Sequence, residues 1–243
     1  MSVNPQSEFL RDPNLLIPRK KPVGNVVIDA ERGAYGGSII RAFVPQIAPV
    51  DLIHGLLTPA NQAFINGRGN AEFDGLGDKF TYPNKFPVLT EFTILFKAMR
   101  DDNGSNGGIW SSKNVSNCSN TQGINLSFRA NNSSALNFKV GSTETWTHDA
   151  TALGVFHDWA CVWEASARQE IYLNGVEPVY ESQTVAASYI ESSINDRIGV
   201  YYDEGSVRSL DGQVEYLFII NKALSKEQIN DFRRDPYQFL IPA

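Results

Sequence analysis

Trp159-Ala160-Cys161-Val162-Trp163, followed by Ile171-Tyr172-Leu173-Asn174-Gly175, decides the fold. Trp159, Cys161 and Trp163 are two residues apart, so in an extended chain they share one face. Ile171-Tyr172-Leu173 is a second run of strand-forming residues, and Asn174-Gly175 is the strongest short-range hairpin signal. The same period of two extends outward in both directions. Phe92, Ile94 and Phe96 alternate with Thr93 and Lys97, Ile124, Leu126 and Phe128 with Asn125 and Ser127, and Leu136, Phe138 and Val140 with Asn137 and Lys139. Val214 to Ile220 is a further strand candidate. Short strands punctuated by Gly, Asn and Ser predict an all-β antiparallel sandwich from about residue 71 to 220. Its core is expected to hold Phe92, Phe96, Leu126, Phe138, Trp159, Trp163 and Leu173.

One helix is predicted, from about Lys226 to Arg233, stopping before Pro236. Ser225 and Gln228 have capping-box spacing, and Leu224 and Ile229 occupy the two positions of a hydrophobic staple. Ile229 and Phe232 would form its apolar face.

The chain of 243 residues has 42% hydrophobic and 20% charged residues, which is the composition of a globular protein. No apolar run approaches the length of about 20 residues that spans a bilayer. Met1-Ser2-Val3-Asn4-Pro5 lacks the basic and apolar regions of a secretory signal. A net charge of −6 and a pI near 5.1 argue against a dedicated nucleic-acid partner, which needs a basic face. Two cysteines, Cys118 and Cys161, make no disulfide framework. Asn-x-Ser sequons at Asn103, Asn114, Asn117, Asn131 and Asn132 read as loop chemistry.

Composition changes near residue 60. Seven of the twelve prolines lie in the first 59 residues, and residues 1–50 carry six Lys/Arg against four Asp/Glu. Proline lacks an N–H and fixes φ, which disfavours helices and central strands. Residues 1–60 are therefore expected to be an extended docking arm and residues 61–243 the globular domain. The arm is apolar in places, at Leu15-Leu16-Ile17, Val26-Val27-Ile28, Ile39-Ile40 and Phe43-Val44, so it should be buried on the domain or on a partner.

Ala71-Glu72-Phe73-Asp74-Gly75 followed by Glu91-Phe92-Thr93-Ile94 resembles the opening of laminin-G-like domains of the concanavalin A-like lectin/glucanase superfamily. Trp159 to Trp163 with Ile171-Tyr172-Leu173-Asn174-Gly175 is similar to the family's central hairpin. Arg197-Ile198-Gly199, Asp211-Gly212-Gln213-Val214-Glu215 and Asn221-Lys222-Ala223-Leu224-Ser225 are similar to its closing segment. The resemblance covers about residues 71–233 and implies two antiparallel sheets packed as a jelly roll. The family includes lectins, adhesion modules, pentraxins and glycosidases, so fold does not decide function. The ending Arg234-Asp235-Pro236-Tyr237-Gln238-Phe239-Leu240-Ile241-Pro242 and the arm's Asp12 to Pro22 resemble the ends of laminin-G-like proteins encoded by tailed bacteriophages. That resemblance implies a virion structural protein.

Enzyme chemistry is not expected. A retaining glycosidase needs two carboxylates about 5–5.5 Å apart. The Glu-x-Asp-x-x-Glu pattern of the glucanase branch is absent, and Glu215 stands alone, with Gln213 and Leu217 expected on its face. There is no Gly-x-Ser-x-Gly elbow. Of His54, His148 and His157, none has zinc-ligand spacing. His157 reads as a loop hydrogen-bond partner, and Cys161, between Trp159 and Trp163, reads as core.

No cofactor is expected. The resemblance raises calcium, which the family often binds at a sheet rim, with Asp101, Asp102 and Asn103 or Asp203 and Glu204 as candidate ligands. A solvated turn is the preferred reading of both clusters. Glycan binding needs aromatics beside polar loops, and the candidates are Trp110, Trp146, Tyr201 and Tyr202. Subunit docking is assigned to Arg11, Asp12, Leu15, Leu16 and Ile17 and to Tyr237, Phe239, Leu240 and Ile241, because residues 11–18 and 234–242 share the frame Arg-Asp-Pro, then apolar residues, then Ile-Pro.

These readings converge on a non-enzymatic virion protein, a capsid decoration or head-associated subunit, oligomeric and held by its arm to other virion proteins. A tail adhesin binding a host-surface glycan is the alternative, and a glycosidase the third reading. Neither nucleic acid nor a membrane is an expected partner.

Overall fold

The computed structural model describes residues 26–28, 35–46, 48–102, 106–113, 122–129, 135–146, 151–176, 180–181, 184–201 and 208–242. Among the described residues the chain is mostly β, with 48% strand and 6% helix, in two packed antiparallel sheets and one short C-terminal helix. The expected sandwich of jelly-roll type is therefore the fold.

The seven-stranded sheet runs from edge to edge as β13 (Thr143–Trp146), β12 (Leu136–Val140), β11 (Ile124–Phe128), β10 (Gly107–Ser111), β17 (Arg197–Ile198), β8 (Lys79–Thr81) and β5 (Thr58–Ala60). The larger sheet runs as β16 (Tyr180–Glu181), β15 (Arg168–Leu173), β14 (His157–Glu164), β9 (Glu91–Arg100), β18 (Asp211–Ile220), β2 (Ile39–Phe43), β3 (Val50–Asp51) and β4 (Gly55–Leu56). Two more strands, β6 (Phe64–Ile65) and β7 (Ala71–Asp74), attach through the first half of β18. Every pair of these strands is antiparallel.

Period two sorts the side chains between two cores. Phe92, Ile94 and Phe96 on β9, Trp159, Cys161 and Trp163 on β14, and Leu217 and Ile219 on β18 point at the seven-stranded sheet. There they meet Ile109, Trp110, Leu126, Phe138 and Ile198. The opposite face of the larger sheet is also apolar, with Leu95, Ala160, Val162, Tyr172, Tyr216, Phe218 and Ile220. That face is covered by α1 (Lys226–Arg234) and by the tail after it. Burial on both faces explains why β18 reads as a nearly continuous apolar run from Tyr216 to Ile220. Of the seven expected core residues, six are buried, and Leu173 is partly buried at the margin.

The helix has its capping box, Ser225 with Gln228, and buries Ile229 and Phe232 as expected. Asn174 and Gly175 both have positive φ (51° and 70°), and Val176 N–H donates to Leu173 O at 3.1 Å, the geometry of a type I′ turn.

The expected boundary at residue 60 is corrected. β2 lies inside the larger sheet between β18 and β3, with Phe43 fully buried, and β5 closes the edge of the smaller sheet. The prolines mislead because they sit where strands tolerate them. Pro45 and Pro49 fall between β2 and β3, and Pro59 is on an edge strand. The sandwich thus begins by Ile39.

The tail is also corrected. Tyr237, Phe239 and Leu240, expected to dock on a neighbouring subunit, are buried on their own domain against Tyr35, Tyr216 and Phe232. Ile241 lies in β19 (Leu240–Pro242), which pairs antiparallel with β1 (Val26–Ile28). Arg11, Asp12, Leu15, Leu16 and Ile17 lie outside the described residues.

Candidate functional site

On the seven-stranded sheet, one register row contains a residue from every strand. Thr58, Thr81, Arg197, Ser111, Asn125, Lys139 and Glu144 stand opposite one another in that order across the whole sheet. All seven are polar. In the adjacent row Phe80, Ile198, Trp110, Leu126 and Phe138 face the other way into the core, with Pro59 and Thr145 at the two edges of the sheet. The outer face of this sheet is thus as consistently polar as its inner face is apolar. A further rung, Ser127 opposite Asn137 opposite Trp146, extends the polar face toward the β13 edge.

This face is enclosed rather than washed by solvent. Asn125, Ser127 and Asn137 are each 1% exposed, and Ser111, Lys139 and Arg197 are also buried. The enclosure comes from the chain's own atoms. A Cβ on Gly108 would collide with the backbone of Val200 and Tyr201, so only glycine lets that segment cross β10 so closely.

The polar groups are only partly satisfied by one another. Asn125 Nδ2 donates to Ser127 Oγ at 3.2 Å, and Asn137 Nδ2 donates to Glu144 Oε1. Ser111 Oγ accepts from Lys113 N–H at 3.1 Å, and Lys113 Nζ donates to Gly141 O at 3.4 Å. The amide oxygens of Asn125 and Asn137 are buried without any hydrogen-bond partner. Buried polar atoms are nearly always paired, because desolvating one without compensation costs about 1–3 kcal/mol. Two such acceptors lie on neighbouring strands of one face.

The aromatic candidates fare differently. Trp110, expected to bind ligand, is fully buried in the core row, where its Nε1–H donates to Asp196 Oδ2 at 3.3 Å. Its sequence neighbours Gly107-Gly108 suggest an exposed loop, but they belong to β10, with an irregularity in register after Gly108. Tyr201 belongs to the segment that crosses β10 and is buried, with Arg208 Cζ 5.6 Å from its ring centre. Trp146 stands opposite Asn137 in register, and Tyr202 lies outside the described residues. A search for aromatics passes over Asn125, Asn137 and Lys139. Their signal is present in the sequence as polar residues alternating with core positions.

Of the calcium candidates, Asp101 and Asp102 are exposed just after β9, and Asn103, Asp203 and Glu204 lie outside the described residues. Among the described residues, no group of three or more His, Cys, Asp or Glu could hold a metal ion. Asp211 stands opposite Asp74 in register. Burial, followed by repulsion from Asp101, Asp102 and Asp74, raises the Asp211 carboxyl above the usual carboxylate range.

Glu215 is not on an inward face either. A bulge between Val214 and Tyr216 breaks the alternation expected with Gln213 and Leu217. Glu215 instead pairs with Lys97 Nζ at 2.9 Å and accepts from Tyr237 Oη at 2.8 Å, beneath the tail. Cys161 is fully buried, which pushes its thiol well up, away from nucleophile chemistry. His157 contacts Asn174 Nδ2 at 3.3 Å, and burial pushes its imidazole down. Among the described residues, no helix is long and apolar enough to cross a membrane.

Residues 69–230 match the family model described as the concanavalin A-like lectin/glucanases superfamily. No curated protein matches the sequence. Among solved structures, domain 4 of the arabinanase AbnA from Geobacillus stearothermophilus, in complex with arabinotriose, is similar at TM-score 0.59 and 13% identity, over 81% of this chain and 98% of that one. A SAP-like heptameric pentraxin from Limulus polyphemus is similar at TM-score 0.51 and 16% identity, over 79% of this chain and 81% of that one. A structure of botulinum neurotoxin type C, whose cell entry depends on two ganglioside molecules, is similar at TM-score 0.59 and 14% identity, over 81% of this chain and 50% of that one. Trypanosoma rangeli sialidase is matched over only 32% of its length. At these identities the likeness is one of fold.

Proposed function

Since the chain belongs to the concanavalin A-like lectin/glucanase superfamily, we propose that it is a non-enzymatic, lectin-like recognition module whose glycan-contacting groups are those of the outer face of the seven-stranded sheet, which the chain covers and must uncover for the ligand. The observation that carries this reading is the polar row with the unpartnered amide oxygens of Asn125 and Asn137. Sugar hydroxyls are donors of the kind those acceptors lack. The arabinotriose complex and the ganglioside-dependent toxin among proteins of this fold support a glycan as the ligand. Against hydrolysis, Glu144 is the single carboxylate of the row, and glycoside cleavage takes two.

The test is a glycan array probed with the whole chain, followed by a reducing-sugar release assay on every hit. Binding without release is the expected result. Release of reducing sugar would make the protein a glycosidase, and an array with no hit would remove the lectin reading.

The module's place is proposed to be a bacteriophage virion, as a capsid decoration or head-associated subunit. Support comes from the resemblance of arm and tail to phage-encoded laminin-G-like proteins. Because the tail is buried on its own domain, docking to other virion subunits falls to the arm. The heptameric pentraxin supports further copies of the chain as partners. Mass spectrometry of purified particles tests the placement, with the chain expected at stoichiometric abundance in the head and its absence removing the proposal.

A further inference from the structure

Five chain segments meet at one end of the larger sheet, and hydrogen bonds and register fix their order. Asn174 N–H, at the end of β15, donates to Asp158 O on β14 at 2.7 Å. Gly154 N–H, just before β14, donates to Arg100 O at the end of β9 at 2.8 Å. Asp101 N–H donates to Asp211 O at the start of β18 at 2.9 Å, and Asp211 stands opposite Asp74 at the end of β7. The order across this end is therefore β15, β14, β9, β18, β7.

The exposed side chains along it change character from one side to the other. On the β15 and β14 side they are aliphatic, with Val176 60%, Val155 46% and Leu153 43% exposed. Carboxylates follow: Asp101, Asp102 and Asp74 are exposed and Asp211 is half-buried. Beyond them Leu76 is 67% exposed, on a turn between Gly75 and Gly77, both of positive φ. Exposed aliphatics gathered in one place mark an interaction surface. After burial, repulsion from Asp101, Asp102 and Asp74 raises the Asp211 carboxyl, and a cation docked there would relieve it. Neighbouring cations are turned to other partners. Arg100 is buried, with Nη1 donating to Arg129 O at 2.8 Å, and Lys97 pairs with Glu215. Arg233 lies beside Gly175, at the aliphatic end.

One stretch of the chain has the complementary order. Leu15-Leu16-Ile17 is aliphatic, Arg19-Lys20-Lys21 is the only run of three consecutive cations in the sequence, and Pro22-Val23 is apolar again. The lengths agree as well. Residues 15–21, stretched as a strand, would span about 20 Å, and the four inter-strand spacings from β15 to β7 come to about 19 Å.

Resting on the reading of the arm as a docking piece, we infer that this ridge receives residues 15–23 from a second copy of the chain. Leu15-Leu16-Ile17 cover Val176, Val155 and Leu153. Arg19-Lys20-Lys21 pair with the carboxylates, and Val23 meets Leu76. The ridge is exposed within one chain, so the arm that covers it comes from a neighbour.

The experiment follows self-association of the full chain by sedimentation velocity over a range of concentrations, at low and high salt. Association that weakens as salt rises is expected. Reversing the ridge, as Asp101→Lys with Asp102→Lys, or reversing the arm, as Arg19→Glu with Lys20→Glu and Lys21→Glu, should each weaken association by about tenfold or more. Both sets of positions are substituted in the full chain, and melting curves check that each variant is folded. An equal mixture of the two variants should associate again, because each supplies the charge that the other lacks. A merely structural role for either segment gives no such recovery. An unmodified chain that stays monomeric, or association that survives both reversals, would overturn the inference. Loss on reversing the arm but not the ridge would overturn the ridge as the docking surface and leave the arm's docking role standing. Loss in both variants with no recovery in the mixture would overturn direct pairing of the two. The assay contains no glycan, so none of these outcomes bears on the lectin reading.

Discussion

Arg41 and Asp196 join the two sheets through the core. Arg41 Nε lies 2.9 Å from Asp196 Oδ2 and Nη2 lies 3.0 Å from Oδ1, a bidentate pair in which both side chains are essentially unexposed. Arg41 is on β2, and Asp196 immediately precedes β17. Trp110 Nε1–H adds a third donor to the carboxylate, and the guanidinium sits 4.7 Å from the Tyr82 ring centre. Removing one member of a buried pair strands the other's charge, so Asp196→Ala is expected to cost about 3–5 kcal/mol in urea unfolding. Replacing both, as Arg41→Met with Asp196→Leu, should recover most of that loss. A single replacement that costs under about 1 kcal/mol would show that the pair is solvated in solution.

Trp163 tests the core in a different way. It is fully buried between Phe92 and Tyr189, with ring centres 5.3 and 5.6 Å away. Trp163→Ala should destabilise by about 3–5 kcal/mol, and Trp163 fluorescence in the native protein should resist aqueous quenchers. A quenchable Trp163 would contradict its burial.

Asp211 sets a pH dependence. Its folded-state carboxyl is raised, first by burial and then by Asp101, Asp102 and Asp74. In the window between its unfolded value of about 3.9 and the higher folded one, the native state holds more protons, so this group's contribution falls as pH rises. Asp211→Asn should therefore raise the melting temperature at pH 7, with the gain vanishing below about pH 4. A variant that is less stable at pH 7 would mean that the Asp211 charge is favourable where it stands.

The two chain ends should behave differently on truncation. Removing residues 235–243 deletes Tyr237, Phe239 and Leu240 from the second core and should lower stability markedly. Removing residues 1–22 should leave the melting curve unchanged, and by the docking proposal it should abolish incorporation into the particle. Normal assembly of the arm-deleted protein would remove that proposal.

The sandwich is readable from sequence because Trp159, Cys161 and Trp163, with the strands around them, alternate cleanly and because capping and turn residues act locally. What stays hidden depends on distant partners. Ile39 to Phe43 reads as arm because prolines flank it, and only pairing with β18 makes it a strand. The aromatic stretch Tyr237 to Leu240 reads as a docking piece because the continuous apolar run of β18 shows that its outer face needs a cover but not which segment supplies it. Glu215 is misplaced by simple alternation because a bulge leaves no local mark. The polar row is visible strand by strand at Asn125, Ser127, Asn137 and Lys139, but its continuity across seven strands exists only in the register.

The most direct test of that row is the double variant Asn125→Ala with Asn137→Ala, measured for melting temperature and for binding to whichever glycan the array selects. The amide oxygens have no protein partner, so the relief of two buried unsatisfied acceptors offsets the loss of the Nδ2 bonds to Ser127 and Glu144 and leaves the fold nearly as stable as before. If the row is the glycan site, the melting temperature stays within a few degrees of the parent and glycan affinity falls at least tenfold. Unchanged affinity in a folded double variant would place the glycan elsewhere and contradict the assignment.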